Sequence, residues 1–592
     1  MLKQISLLFI MFLISFILFN CTGSVGKEAK KFIDNYSKEY QPIFYKASLA
    51  QWVANTNITD ENTQKEITAN KLLSEFEGRK GIIDSVKMYL KDRNKLDFET
   101  VGQLEKILYN ASHAPATIPQ VVNQLVNAEA KQTQTLYGYE FKLKDGKKVS
   151  ANDIDNMLVS EMNLAKRQEI WEASKEIGKN LKDGLSNLQS LRNKVAREMG
   201  YSSYFDLEVS QYGMKAGEMK GWMQKVNDQL KPLYDQLYTW VKYNLADRYK
   251  TPVPDKIPAH WLPNRWAQEW PGIVEGINLD NMFKGKSPEW IVKQGEKFYI
   301  SMGMPQLPQS FWDKSDLYSL PADSPRKKNT HASAWHLDLD KDVRSLMNVE
   351  ANAEWFQAVH HELGHTYYFM AYTNPVVPIL LRDGLNPGFH EGMGELISTA
   401  SMQQPYLKEI GLLSNNIQID SIKWLLNEAL SNVVFIPFAT GTMNMWEYEF
   451  YENNLPKDQM NKKWWELAEK YQGIVPPSFR SEEYCDASTK THINDYPAYY
   501  CNYAVAKLIQ YQLHNYICKN VLKQNPHNAN YYNSRETGQY LWDILKKGKT
   551  VEWRSFIKEK TGEELSANGM LQYFQPLMDW LKKENAGRKI GW

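Results

Sequence analysis

Two histidines set four apart, His361 and His365 in His361-Glu362-Leu363-Gly364-His365, have the type and spacing that most directly imply chemistry. On a helix, positions four apart project from one side, so both imidazoles can offer a ring nitrogen to one metal ion. Glu362, beside the first histidine, can then take a proton from a water activated there, which is metal-assisted hydrolysis. The bare pattern has a bland alternative: two core histidines satisfied by hydrogen bonds.

A hydrolytic zinc needs three protein ligands and one open position. Downstream of the motif the chain breaks at Asn374-Pro375 and Pro378 and turns again at Asn386-Pro387-Gly388. A new helix is predicted to begin near Phe389-His390-Glu391, with Glu391 in its first turn as the third ligand. Glu395 follows on the same face and can orient a ligating histidine from behind. Taken alone, a glutamate opening a helix is equally a surface residue that complements the helix dipole.

These residues need rigid elements to carry them. Trp355, Phe356, Val359, Leu363 and Met370 mark the buried side of a helix over 352–372. Apolar residues at three- and four-residue spacings also run through 155–199 and 217–247, whereas strand-like alternation is confined to Ala332–Leu339. Proline-rich breaks at 252–263 and 305–325 read as connections within one body. An all-α, mainly helical fold with minimal strand is the expectation.

The chain has 592 residues and a net charge of +1, and no lysine/arginine tract is long enough to track a phosphate backbone, so a nucleic-acid partner is excluded. Arg326-Lys327-Lys328 reads as a solvated loop. The first twenty residues read as an export signal: Lys3, then an apolar run from Ile5 to Phe19. The run ends at Asn20-Cys21-Thr22-Gly23, which resembles a bacterial lipoprotein processing site, although Asn20 departs from the small residue usual there. Expected boundaries are therefore 1–20 signal peptide, 21–45 lipidated N-terminus (at Cys21) and tether, and 46–592 a single domain carrying the zinc motif. The expected location is the cell envelope, on the periplasmic or cell-surface side of a bacterial membrane, with attachment through the N-terminal lipid. Cys485, Cys501 and Cys518 are too few for a disulfide framework, and the last two fall too far apart on one helix to bond.

The segment from His360 to Glu395, with Leu381-Arg382-Asp383-Gly384 and Asn386-Pro387-Gly388-Phe389-His390-Glu391, closely resembles the angiotensin-converting enzyme family of peptidyl-dipeptidases. Trp266-Ala267-Gln268-Glu269-Trp270, His331-Ala332-Ser333-Ala334-Trp335, Trp464-Trp465, Tyr471-Gln472-Gly473 and Lys490 to Tyr503 extend the likeness in family order from about residue 46 to the end. The resemblance implies two helical halves around a deep channel with zinc at its floor, and release of C-terminal dipeptides from short peptides. It implies one zinc ion per chain on His361, His365 and Glu391, with Glu362 as general base and later acid. His492 would steady the tetrahedral intermediate and Tyr503 would hydrogen-bond the oxyanion. His331 and Ala332 would hold the peptide backbone, and Lys490 and Tyr500 the substrate's terminal carboxylate.

Two departures stand out. The family's additional carboxylate-binding glutamine has no evident counterpart, Lys284 or Lys286 falling nearby. Asn502 and Glu449 occupy places where animal members carry chloride-holding arginines, so no chloride requirement is expected, Glu449 supplying an internal negative charge instead. Two rival functions remain at this stage: a helical zinc endo-oligopeptidase, and a peptide-binding lipoprotein without catalysis.

Overall fold

A computed structural model describes the chain from residue 2 to residue 592 apart from 275–278, 322 and 417–419, with side chains described from residue 25 onward. Helices dominate and strands are few, so the all-α expectation holds. The stretch read as helical between 155 and 199 comprises Ala151–Ser160, Leu164–Lys175 and Ile177–Met199, and 217–247 lies within one helix, Ala216–Arg248. Ser150 caps the first of these in a reciprocal capping box with Asp153, satisfying two otherwise orphaned backbone donors.

The strand expected at Ala332–Leu339 is Ser333–His336. It pairs antiparallel with Val343–Val349, which pairs in parallel with Asp316–Tyr318 on its other side. Ser333–His336 is thus an edge strand. Its edge position leaves backbone groups on one side available for another extended chain.

The N-terminal region departs from expectation. Residues 25–45 are not a tether but part of a helix, Leu2–Thr56, that packs on the body. Ile33, Tyr36 and Tyr40 are buried against Phe76, Ile83 and Leu104. The Tyr36 ring lies 5.5 Å from Tyr40 and 5.2 Å from Phe76. Ala29, Ile33, Tyr36 and Tyr40 recur at helical spacing, so a polar average composition conceals a continuous apolar stripe. The side chains of the expected signal and of Cys21 lie outside the described residues. Among the described residues, no helix is long and apolar enough to cross a membrane.

Three helices build the centre of the molecule: Ala353–Tyr372 with the histidine motif, Pro387–Ser401 with Glu391, and Cys501–Tyr516 with Tyr503. The second is sandwiched between the other two, and glycines permit the approach. A Cβ on Gly388 would meet Val505 at 2.6 Å, and one on Gly392 would meet Ile509 at 2.9 Å. On the opposite face, a Cβ on Gly364 would meet the Cα of Gly394 at 3.2 Å. Cys485, Cys501 and Cys518 are buried and unpaired, as expected.

Candidate metal centre

Asn352 caps the motif helix by accepting from the Trp355 N–H, and the helix runs unbroken for twenty residues. Neighbouring histidines on it have different fates. His360 is a satisfied core histidine: its Nδ1 lies 2.7 Å from the Phe356 carbonyl and its Nε2 3.2 Å from the Tyr406 hydroxyl. His361 and His365 turn the other way. Their Nε2 atoms lie 3.1 Å apart, and His361 Nε2 is 3.6 Å from Glu391 Oε2.

His361, His365 and Glu391 offer ligand atoms that all lie within 4.8 Å of one another. Two neutral imidazoles and a carboxylate form a donor set that suits zinc and leaves a fourth position open. The local packing fits a metal centre too. A Cβ on Gly394 would sit 2.6 Å from the His361 ring, so only glycine leaves that imidazole its place. Glu391 is the fifth residue of its helix, which begins at Pro387, and so stands in the second turn rather than the expected first.

The electrostatics follow from burial and proximity. Burial opposes charge on His361, but its hydrogen bond to Glu391 and the fields of Glu362 and Glu395 outweigh this and raise it to about 9. Burial, with the His361 charge beside it, lowers His365 to about 3. Burial pushes Glu362 up to about 7, against the pull of His361. Glu395 is not hydrogen-bonded to a ligand histidine as expected; its ion-pair partner is Lys507 at 3.9 Å, and it reaches His361 only through its field. His390 instead stands behind His365, Nδ1 to Nδ1 at 3.4 Å.

These groups open onto a cleft of about 650 Å³ that also takes in His331, Ala332, Ser333, Tyr503, Tyr40 and Phe44. His331 and Ala332 immediately precede the edge strand, and His331 is exposed. Tyr503 links this cleft to a second cluster. Its ring lies 5.4 Å from Tyr500 and 6.0 Å from His492. Burial and the Lys490 charge hold His492 down to about 4, so at neutral pH it is a neutral imidazole. Burial pushes the Tyr503 phenol above its ordinary range, which keeps it an O–H donor.

Lys490 and Tyr500 meet at a residue the sequence reading did not assign. Both donate to Gln268 Oε1, Tyr500 at 2.9 Å. The Lys490 ammonium also sits 4.3 Å from the Trp266 ring centre. Gln268 belongs to the segment Trp266-Ala267-Gln268-Glu269-Trp270, and its amide oxygen is the acceptor that Lys490 and Tyr500 share. Lys286 lies over the Trp290 ring, at 4.6 Å. Glu449 is half-buried and pairs with Lys220 at 3.7 Å, while Glu447, two residues earlier, is the buried acidic residue. Asn502 is buried and accepts from the Tyr212 hydroxyl.

A sequence model of the family described as angiotensin-converting enzyme matches residues 24–592. The chain belongs to that family. It is 31% identical over 581 residues to an angiotensin-converting enzyme of Theromyzon tessulatum, covering 94% of this chain and 92% of that protein. It is 30% identical over 596 residues to that of Mesocricetus auratus and over 593 residues to that of Oryctolagus cuniculus, in each case across 95% of this chain. The chain spans 44% of the length of those two mammalian proteins. The family and the His361–His365–Glu391 group together make this member of the angiotensin-converting enzyme family a zinc metallopeptidase.

Proposed function

We propose that this chain is a peptidyl-dipeptidase that hydrolyses the penultimate peptide bond of short peptides, using one zinc ion held by His361, His365 and Glu391. When bound, zinc supplies Lewis acidity at the scissile carbonyl and the attacking water. Glu362 takes the proton from that water and returns it to the departing amine. The Tyr503 hydroxyl donates to the developing oxyanion, and His492, neutral beside it, offers a ring N–H to the same charge. His331 and Ala332, at the start of the edge strand, align the substrate backbone. Lys490, Tyr500 and Gln268 hold its terminal carboxylate.

The observation that carries this reading is the convergence of Lys490 and Tyr500 on Gln268 beyond Tyr503, away from the metal ligands. A buried ammonium with neutral donors beside it fits a free carboxylate, and a pocket for that group limits cleavage to a fixed distance from the chain end. An endo-oligopeptidase has no use for such a pocket. The test is the release of a dipeptide from an N-blocked tripeptide, with and without a chelator. Cleavage that is insensitive to the chelator, or at internal bonds without regard to the C-terminus, contradicts the proposal.

We further propose that Cys21 is acylated and keeps the enzyme at the cell envelope. The apolar run ending at Cys21 supports this, and more than one acyl chain gives stable attachment. Replacing Cys21 by Ala should move the protein to the soluble fraction or block its processing. An intact mass showing an unmodified N-terminus beyond residue 21 contradicts it. Independence from chloride belongs to the same proposal, supported by the neutral Asn502 standing where a basic residue would be needed.

A further inference from the structure

Glu447 is a buried carboxyl that the reaction above does not use. It lies on the helix Asn444–Tyr451 and is 1% exposed. Removing a carboxyl from water is costly unless its oxygens are bonded. Its Oε1 accepts the backbone N–H of Ala498 at 2.7 Å, and its Oε2 is buried with no partner. The charged neighbours are engaged elsewhere. Arg192 donates to the Tyr451 hydroxyl and the Asn494 carbonyl and pairs with Glu129 at 3.1 Å. Glu208 accepts from the Tyr109 hydroxyl at 3.0 Å. The one bond Glu447 makes is therefore to the backbone at Ala498.

Ala498 has φ +60°, the left-handed region where an alanine Cβ crowds its own carbonyl. It joins the short helix Thr491–Asp495, which carries His492, to the helix Cys501–Tyr516, which carries Tyr503 and has Tyr500 at its N-cap. The strained residue thus sits in the connection that sets these three rings relative to one another. Arg192 holds the Asn494 carbonyl just before that connection, and Glu447 holds the Ala498 N–H in its middle. Strained backbone persists only where its surroundings over-determine it.

We propose that Glu447 is a positioning residue: it holds the left-handed turn at Ala498 and so fixes Tyr500 and Tyr503 against His492. This rests on the roles given to those tyrosines above. Glu447→Gln keeps a carbonyl oxygen for the Ala498 N–H and should stay within about threefold of wild-type kcat/KM. Glu447→Ala removes the acceptor and should lower kcat by about tenfold or more at unchanged zinc content. Adding Ala498→Gly to Glu447→Ala should recover most of the loss, because glycine enters the left-handed region freely. Hydrogen exchange at the Ala498 amide, slow in the wild type and fast in Glu447→Ala, reads the clamp without reference to activity. If exchange accelerates while kcat is unchanged, the clamp exists but positions nothing, and the proposal fails. It also fails if zinc, stability and activity fall together and glycine restores none of them. Should Glu447→Ala not fold, the same comparison runs between Glu447→Gln and the double variant. If the wild type cleaves no peptide, the exchange result stands and the failure belongs to the functional reading.

Discussion

Lys490 and Tyr500 converge on one oxygen, Oε1 of Gln268, the tyrosine from 2.9 Å. In the free enzyme a neutral amide oxygen occupies donors that suit an anion better. A substrate carboxylate reaching this point replaces the neutral acceptor with a charged one, so that both partners of the Lys490 bond are ionised. Amidating a peptide's C-terminus should therefore sharply reduce kcat/KM. Lys490→Ala should lower kcat/KM for the free acid by roughly ten- to a hundredfold, the range expected for a hydrogen bond to a charged group, and leave the amide nearly unaffected. Equal loss on acid and amide would mean that Lys490 does something other than read the chain end.

Burial holds Lys490 down to about 7, with the nearby Glu269 opposing the shift. Its charged form dominates below that value and is lost above it. Affinity for a carboxylate follows the charged form, so KM for free-acid peptides should rise as pH climbs past 7, approaching tenfold per pH unit. KM for amidated peptides should stay flat. Lys490→Arg should abolish the rise, because a guanidinium remains charged throughout. A pH profile of KM on paired acid and amide substrates decides it.

Glu362 faces the cleft and makes no contact that a ligand would make, so proton transfer and metal binding should separate. Glu362→Gln should keep about one zinc per chain while kcat falls by on the order of a hundredfold or more. His361→Ala and Glu391→Ala should lose metal as well as activity. Metal content measured beside turnover distinguishes the two classes.

Gly394→Ala places a methyl group 2.6 Å from His361 Nε2, on a ring also confined by Glu391 and His365. The imidazole must turn away from the metal position. Zinc affinity should fall by roughly ten- to a hundredfold, the scale of disturbing the groups that orient a ligand. Competition with a calibrated chelator measures it, and the melting temperature of metal-free protein should change far less.

Chloride should not activate this enzyme. Asn502 is neutral and already accepts from Tyr212, so the guanidinium that would offset the desolvation of an anion is missing at that position. Activity in sodium acetate and sodium chloride at matched ionic strength should agree, general screening being equal in both. A saturable rise specific to chloride would overturn this.

The zinc ligands were legible because a helix converts sequence spacing into direction. His361 and His365 share a face by arithmetic, and Asn386-Pro387-Gly388 announces the helix that brings Glu391. Gln268 was not legible as a partner of Lys490. The contact spans 222 positions and comes from a loop, where spacing carries no direction. Glu449 was expected to carry the internal charge, but the buried carboxyl is Glu447, two positions earlier on the helix Asn444–Tyr451, and residue type alone does not distinguish the two. The N-terminal stripe of Ile33, Tyr36 and Tyr40 was present in the sequence, but a search for polar composition passes over a periodicity that sparse.

The helix that buries Tyr36 also delivers Tyr40 and Phe44 to the wall of the metal cleft. From Val25 to Tyr40 such a helix rises ~22 Å, at ~1.5 Å per residue. An anchor attached a few residues before Val25 would thus join the membrane to the catalytic wall through a stiff rod rather than a slack cord. The tilt of that rod, and not diffusion on a leash, would set how far the cleft mouth stands from the lipid surface and which way it faces arriving peptides.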